Sequence, residues 1–410
     1  MHKITRTRKL VFNQMVADLG LVSSILLLII AWATTNTQSY VILSGIRNFV
    51  IFPILILCIA ASWLDLFKPL AARAFFTWAF LVALMLFNTT LIGNVYINFP
   101  ALVAFYLLPL MFTLFLQKSR NEIITDRSLF LLLLSIFLIF FLTLFVGGVS
   151  RTIPPVFLFE AQIFGSENDL TYSLGSSRVY GLGALISALL ATKSSMGFKK
   201  IFLYSSMVFL FWLSFIAGGR GEILITAAMI LLCHGLGRGV IIVSSCMIIY
   251  SIAPDLITLA SLDEYPVIER FLALKNSYGM RDELLAKSLE LLSNEPRCLL
   301  LGCGFSYFQQ YFGLEMGLYP HNVLIETVIA AGLPLTMILV VLVISKSFIL
   351  GNSNQAKNFL FFMLFFFLVS LKSGELLTSW PLIGCGIFVL AFRDPMRGSW
   401  HRPQYLIRHF

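Results

Sequence analysis

Residues 128–149 read SLFLLLLSIFLIFFLTLFVGGV, a run without one charged side chain. About 20 apolar residues cross the hydrocarbon core of a bilayer as a helix. A barrel strand would be about 10 residues long and would alternate in polarity, which this run does not do. The stretch therefore predicts a membrane-spanning α-helix.

The rest of the chain repeats the pattern. Of 410 residues, 59% are hydrophobic and 12% charged, and phenylalanine alone occurs 39 times. A soluble domain is nearer 45–50% apolar and about 25% charged. The sequence predicts an all-α integral membrane protein, a single polytopic domain over 1–410 with about 12 transmembrane helices. They fall near 11–33, 41–64, 74–91, 98–117, 128–149, 179–192, 201–217, 221–236, 239–259, 322–345, 358–371 and 377–392. The first is too long for the apolar core of a signal peptide and reads as an uncleaved span.

The net charge of +9 is sided. With both termini inside, 19 of the 29 basic residues fall in inner loops and tails, while 15 of the 20 acidic residues fall outside. Lys and Arg accumulate on the cytoplasmic side of membrane proteins. The charge is thus a topology signal and gives nucleic-acid binding no support. Two outer segments are longer than connectors need to be, 150–178 and 260–320. Within the second, Arg281 opens an amphipathic helix that places Leu284, Leu285, Leu289 and Leu292 near one face, with Asp282 and Glu283 in its first turn. Cys298 and Cys303 share this loop and can pair if the compartment is oxidising. No zinc-ligand spacing, phosphate-binding glycine loop or nucleophile elbow stands out, and no metal or cofactor is expected.

Four outer features carry polar chemistry. YPHNVLIE, Tyr319 to Glu326, holds the one outward histidine of five, His321, followed by Asn322. If acid–base chemistry occurs on this side, His321 is the imidazole available for it. The plainer reading is a helix-start histidine that anchors the next span. AGGRGEILIT, Ala217 to Thr226, sets Arg220 and Glu222 among glycines, which allow close approach of backbone or ligand. The plainer reading is an Arg220–Glu222 surface pair on a glycine turn. Arg178 stands at the mouth of the next span in SSRVYGLG, and Arg281 opens the loop helix. Arginine forks grip phosphate bidentately, and nearby guanidinium charge keeps an imidazole neutral and able to accept a proton. A neutral base, a cationic grip and a lipid-facing site suit glycosyl transfer from a polyprenyl diphosphate.

In these residues the chain resembles the O-antigen ligase/polymerase superfamily, and the Wzy-type polymerases more than the WaaL-type ligases. Three patterns carry the resemblance, in this order: GGRGEILIT; Arg281 followed by Pro296 and Gly302-Cys303-Gly304; and His321-Asn322 through Glu326 to Gly332. It covers roughly 170–345. It implies a metal-independent inverting glycosyltransferase of the bacterial inner membrane, working at the periplasmic face. The outer loops 150–178 and 260–320 would then be periplasmic.

By this resemblance His321 would be the catalytic base and Arg220, Arg281 and Arg178 would bind the donor diphosphate. From the residues themselves, Asn322 is read as capping the span or orienting His321, Glu326, one turn below Asn322, as its support, and Glu222 as a further supporting residue. The substrate would be an undecaprenyl diphosphate-linked oligosaccharide held among membrane lipid, with a chain-length regulator protein as a partner. An O-antigen ligase, acting on lipid A-core, shares the donor chemistry and is the alternative. A lipid-linked glycan flippase is the alternative of another class, but flippases place ionisable groups mid-membrane, and here the outer charges cluster in loops.

Overall fold

The computed structural model describes residues 2–34, 40–62, 65, 69–93, 99–118, 123–146, 149–152, 156–159, 174–195, 197–217, 219–235, 280–315, 318–351 and 356–392. Nearly all of these are helical. The first half holds α1 (His2–Thr34), α2 (Tyr40–Ile46), which continues through a π-helical turn into α3 (Phe52–Ser62), α4 (Pro69–Leu91), α5 (Phe99–Lys118) and α6 (Asp126–Val146). A two-stranded antiparallel hairpin comes next, β1 (Val149–Thr152) and β2 (Val156–Phe159). It is the one non-helical pairing among the described residues, inside the shorter outer loop. Beyond it lie α7 (Leu174–Lys193), α8 (Phe198–Ile216) and α9 (Arg220–His234). After the undescribed 236–279 lie three helices of the long loop, α10 (Met280–Asn294), α11 (Pro296–Leu300) and α12 (Tyr307–Phe312). The chain closes with α13 (Val323–Ala331), α14 (Leu333–Gly351), α15 (Lys357–Ser373) and α16 (Trp380–Ala391).

Among the described residues, six helices are long and apolar enough to cross a membrane by length and composition. They are Val11–Ala33, Ile42–Ser62, Ala72–Leu91, Asp126–Phe145, Phe198–Phe215 and Leu333–Gly351. Shorter apolar helices at Leu102–Lys118, Gly221–His234 and Trp380–Ala391 accompany them. The chain is a multi-pass membrane protein by this composition. A helix satisfies all its backbone groups internally, which is what hydrocarbon demands. The predicted span 239–259 lies outside the described residues.

Helix α7 sits at the centre, packed by α1, α6, α8, α9 and α15. Its small residues make this possible. A Cβ on Gly181 would press on Thr226 of α9, and one on Gly183 would come within 2.9 Å of Leu210 Cδ1 of α8. Small residues let helix backbones approach closely where no hydrophobic force drives them together. Helix α14 is the opposite case: Met337, Ile338, Val341 and Phe348 are all exposed. An apolar face of that extent is what a bilayer covers.

The polar contacts separate into two ends. At one, Lys118 pairs with Asp65 and Lys193 with Asp126, each at 2.9 Å. Asn358 Nδ2 donates to the Ile124 carbonyl there, and buried Asp18 accepts from Thr125 and Ser128. At the other end lie Arg178, Glu222 and Lys372, together with the long loop. Helix α7 joins the two, from Arg178 to Lys193, at about 1.5 Å per residue some 22 Å apart.

Candidate active site

Glu222 lies in the first turn of α9 and is 1% exposed. A buried carboxylate needs paired charge or hydrogen bonds. Two other helices supply them. Arg178 Nε of α7 donates to Oε1 at 3.3 Å, and the Lys372 ammonium, at the end of α15, donates to Oε2. The carboxylate of Glu222 is therefore buried and not at the surface. Glu222 points into the bundle, toward α7 and α15. Arg178 also lies over the Trp32 ring, its guanidinium carbon 5.7 Å from the centroid, a cation–π arrangement.

Gly219 and Gly221 make room for this contact. A Cβ on Gly221 would stand 2.5 Å from Lys372 Cδ, and one on Gly219 would stand 2.5 Å from Ser177 Oγ. Ser177 and Ser214 tie α7 to α8 beside them, each hydroxyl donating to the other's carbonyl at 2.8 Å.

His321 is half-buried, with its ring centroid 4.1 Å from that of Tyr319. Its φ is +56°, in the left-handed region. Such a conformation is uncommon outside glycine, though histidine is among the residues enriched there. The next residue anchors it. Asn322 is the N-cap of α13, and its Oδ1 accepts from the N–H groups of Leu324 at 3.0 Å and Ile325 at 3.2 Å. Capping satisfies donors that a helix start leaves orphaned.

Glu326 does not support Asn322, whose carbonyl side chain is occupied by the cap. Its carboxylate accepts from the Leu376 N–H in the turn between α15 and α16. Side chains on a helix lean toward its N-terminus, but here a backbone donor from the neighbouring turn is the partner within reach. Glu326 and Glu375 line one cleft of about 30 Å³ with Tyr307, Phe308 and Gln309. Burial pushes the Glu375 carboxyl up to about 7.

The span predicted over 322–345 is two helices. Gly332, at φ +87°, breaks the run between α13 and α14. The apolar composition continues across the break, so hydropathy does not mark it. The freed carbonyls are taken by the long loop: Cys303 N–H donates to Ile329 O at 2.6 Å and Gly304 N–H to Ala330 O at 3.1 Å. Gly302 has φ +86° and a Cβ there would stand 2.5 Å from the Ala330 carbonyl oxygen. The loop is also stitched to α4, where Thr89 Oγ1 accepts from the Phe305 N–H at 2.9 Å and Asn88 Nδ2 donates to Leu301 O at 2.8 Å.

Helix α10 forms as predicted, with a different inward face. Leu284 and Leu291 are buried against Phe308 and Ile329, and Leu292 is half-buried. Leu285 and Leu289 are 37% and 55% exposed. The helix carries two interleaved leucine stripes, and α12 and α13 receive only one. Cys298 and Cys303 form a disulfide, and both residues are buried.

The structure thus joins Arg178 to Glu222, and links Glu326 to the same α15–α16 turn that presents Lys372. Arg220 opens α9 and Arg281 is the second residue of α10. Their side chains lie outside the described part of the structure. Sequence reasoning misses Lys372 and Glu375. The signal available is KSGEL, two opposite charges around a glycine between two short apolar runs. Beside α13 an apolar cavity of about 770 Å³ runs from Val323 and Thr327 down to Phe348 and Gly351. A scan against protein-family models matches none, and no curated protein matches the chain.

Proposed function

We propose that this chain is an O-antigen polymerase, joining undecaprenyl diphosphate-linked repeat units at the periplasmic face of the bacterial inner membrane. In this reading the bundle has twelve spans with both termini cytoplasmic. The end carrying Lys118, Lys193 and Lys346 is the inner one, by the bias of basic residues. The Cys298–Cys303 disulfide at the other end suits an oxidising compartment.

The observation that carries the reading is the α15–α16 turn. One segment, Lys372 to Leu376, touches both the helix that His321 opens and the Glu222 carboxylate that Arg178 holds. This turn ties the helix that begins after His321 to the cation cluster. The apolar cavity beside α13 suits an isoprenoid tail. His321 takes the proton of an acceptor hydroxyl, whose oxygen attacks the anomeric carbon with inversion. The bond from that carbon to the diphosphate oxygen breaks, and the diphosphate lipid leaves with the electron pair. Stabilising the leaving charge is the larger contribution, and base catalysis adds typically 10²–10⁴-fold. No strong general acid is required, because diphosphate leaves as a stabilised anion.

The test is the lipopolysaccharide of a strain lacking the gene, resolved on a gel. Lipid A-core bearing a single repeat is the result expected of a lost polymerase. Bare core with polymer still accumulating on the lipid carrier would make the chain a ligase instead. An unchanged ladder would refute both.

A further inference from the structure

Two leucines of the long loop are bare. Leu300 and Leu301, at the end of α11, are 58% and 66% exposed. Their backbone is nevertheless held from both sides. Asn88 Nδ2 of α4 donates to the Leu301 carbonyl at 2.8 Å. On the other side the Leu300 carbonyl packs on the break before α14, where a Cβ on Gly332 would stand 2.5 Å from that oxygen. Both flanks are ends of helices apolar enough to cross a membrane, Ala72–Leu91 and Leu333–Gly351. Phe87 and Leu91 on the first, and Leu333 and Met337 on the second, are exposed and continue the apolar surface to either side of the leucines.

We propose that the end of α11 is a membrane anchor: Leu300 and Leu301 enter the acyl region of the leaflet on the long loop's side, at the seam between α4 and α14, and the turn that follows fastens α13 to them. The flanks set the depth, since Asn88 and Gly332 stand at the ends of the two spans. The backbone meets the condition that hydrocarbon imposes, that its polar groups be satisfied within the protein. The N–H groups of Leu301 and Gly302 both reach the Arg297 carbonyl, at 2.8 and 3.2 Å, and the Leu301 carbonyl has Asn88. Arg297 is exposed one turn before Leu301. A long basic side chain there keeps its charge among headgroups while the leucines lie deeper. On a soluble surface such an apolar patch would mark a protein partner. Here it runs without interruption into faces that a bilayer covers.

The anchor reaches the candidate site through the next three residues. Cys303 and Gly304 donate to the Ile329 and Ala330 carbonyls at the end of α13. The Cys298–Cys303 disulfide ties that turn back onto α11. The helix that His321 opens is thereby fastened to a segment seated in lipid. The inference does not rest on the polymerase reading, and it holds for whatever chemistry this end of the bundle performs.

Full-length protein in nanodiscs of phosphatidylethanolamine and phosphatidylglycerol gives the test. Leu300→benzoylphenylalanine and Leu301→benzoylphenylalanine are irradiated, and the adducts are read by mass spectrometry. Lipid adducts are expected at both positions, as with Ile338→benzoylphenylalanine on the exposed face of α14. None is expected with Asn294→benzoylphenylalanine, exposed at the end of α10. Adducts at Ile338 but not at Leu300 and Leu301, or a covalent dimer in place of lipid adducts, overturns the proposal. Hydrogen exchange reads the link to α13. A Leu300→Glu, Leu301→Glu double variant is expected to exchange its Cys303 and Gly304 amides about tenfold faster than wild type, because carboxylates resist entry into lipid, with α7 unchanged. Wild-type exchange at those two amides overturns the proposal as well. If the double variant does not fold, the cross-linking alone decides.

Discussion

Glu222 and Lys372 lie 150 residues apart in the chain and are hydrogen-bonded in the fold. Through them α9 is fastened to α15, and through Arg178 the same carboxylate fastens α7. Replacing Glu222 by Ala leaves two cations facing each other without their anion. Removing one partner of a buried pair costs about 3–5 kcal/mol. A fall in Tm of several degrees in detergent is expected, with loss of glycan elongation. Glu222→Ala protein with wild-type Tm would show that the carboxylate ties nothing.

Gly221→Ala tests the same contact from the other side. Its Cβ would collide with the Lys372 stem, which is flexible and can swing away. The expected outcome is a folded protein with a modest drop in Tm. Gly302→Ala meets backbone, the Ala330 carbonyl, at a positive φ. That variant is expected to fold poorly, because neither the strain nor the collision can be relieved by a rotamer. Expression and Tm of the two variants, side by side, check the contrast.

Asn322→Ala removes the cap of α13 and costs about 1 kcal/mol. Asn322→Asp keeps an acceptor for the same N–H groups and adds a charge favoured at a helix start. The alanine variant is expected to lose Tm and activity together, and the aspartate variant to keep Tm near wild type. Equal stability of all three proteins would dissociate the observed cap from the stability of this helix.

Glu375 sets a pH dependence of stability. Burial favours its neutral form, so the folded protein holds this proton up to about 7, against 4.5 for an ordinary glutamic acid. Between those values the folded state binds more proton than the unfolded one. Stability therefore falls as pH rises through the window, and this contribution is gone above it. The titratable group that shares this cleft is Glu326. Tm measured between about pH 5 and about pH 8 is expected to decline, and Glu375→Gln to flatten that part of the slope. An unaltered slope in the glutamine variant would remove Glu375 from the account.

The membrane helices are legible in the sequence because hydropathy adds over each segment and needs no partner. The Asn322 cap is legible for a similar reason: the preference is local to a helix start. Three features are not. The break at Gly332 sits inside an unbroken apolar run, and only the loop that captures the Ile329 and Ala330 carbonyls gives it away. The leucines of α10 form two stripes, and the choice between them is made by α12 and α13, not by α10. Lys372 looks like one more outer base, because a partner 150 residues distant leaves no local pattern. The glycines around Arg220 read in the sequence as room for backbone or ligand. In the fold Gly219 lies against Ser177 and Gly221 against the Lys372 stem.

The central claim is that His321 accepts the proton of the attacking hydroxyl. Purified wild-type and His321→Ala proteins, given undecaprenyl diphosphate-linked repeat units and no metal, test it directly. A ladder of elongated glycan from wild type and none above background from His321→Ala, at equal Tm and equal binding of undecaprenyl diphosphate, is the predicted result. A His321→Ala protein that builds the ladder at the wild-type rate would contradict it.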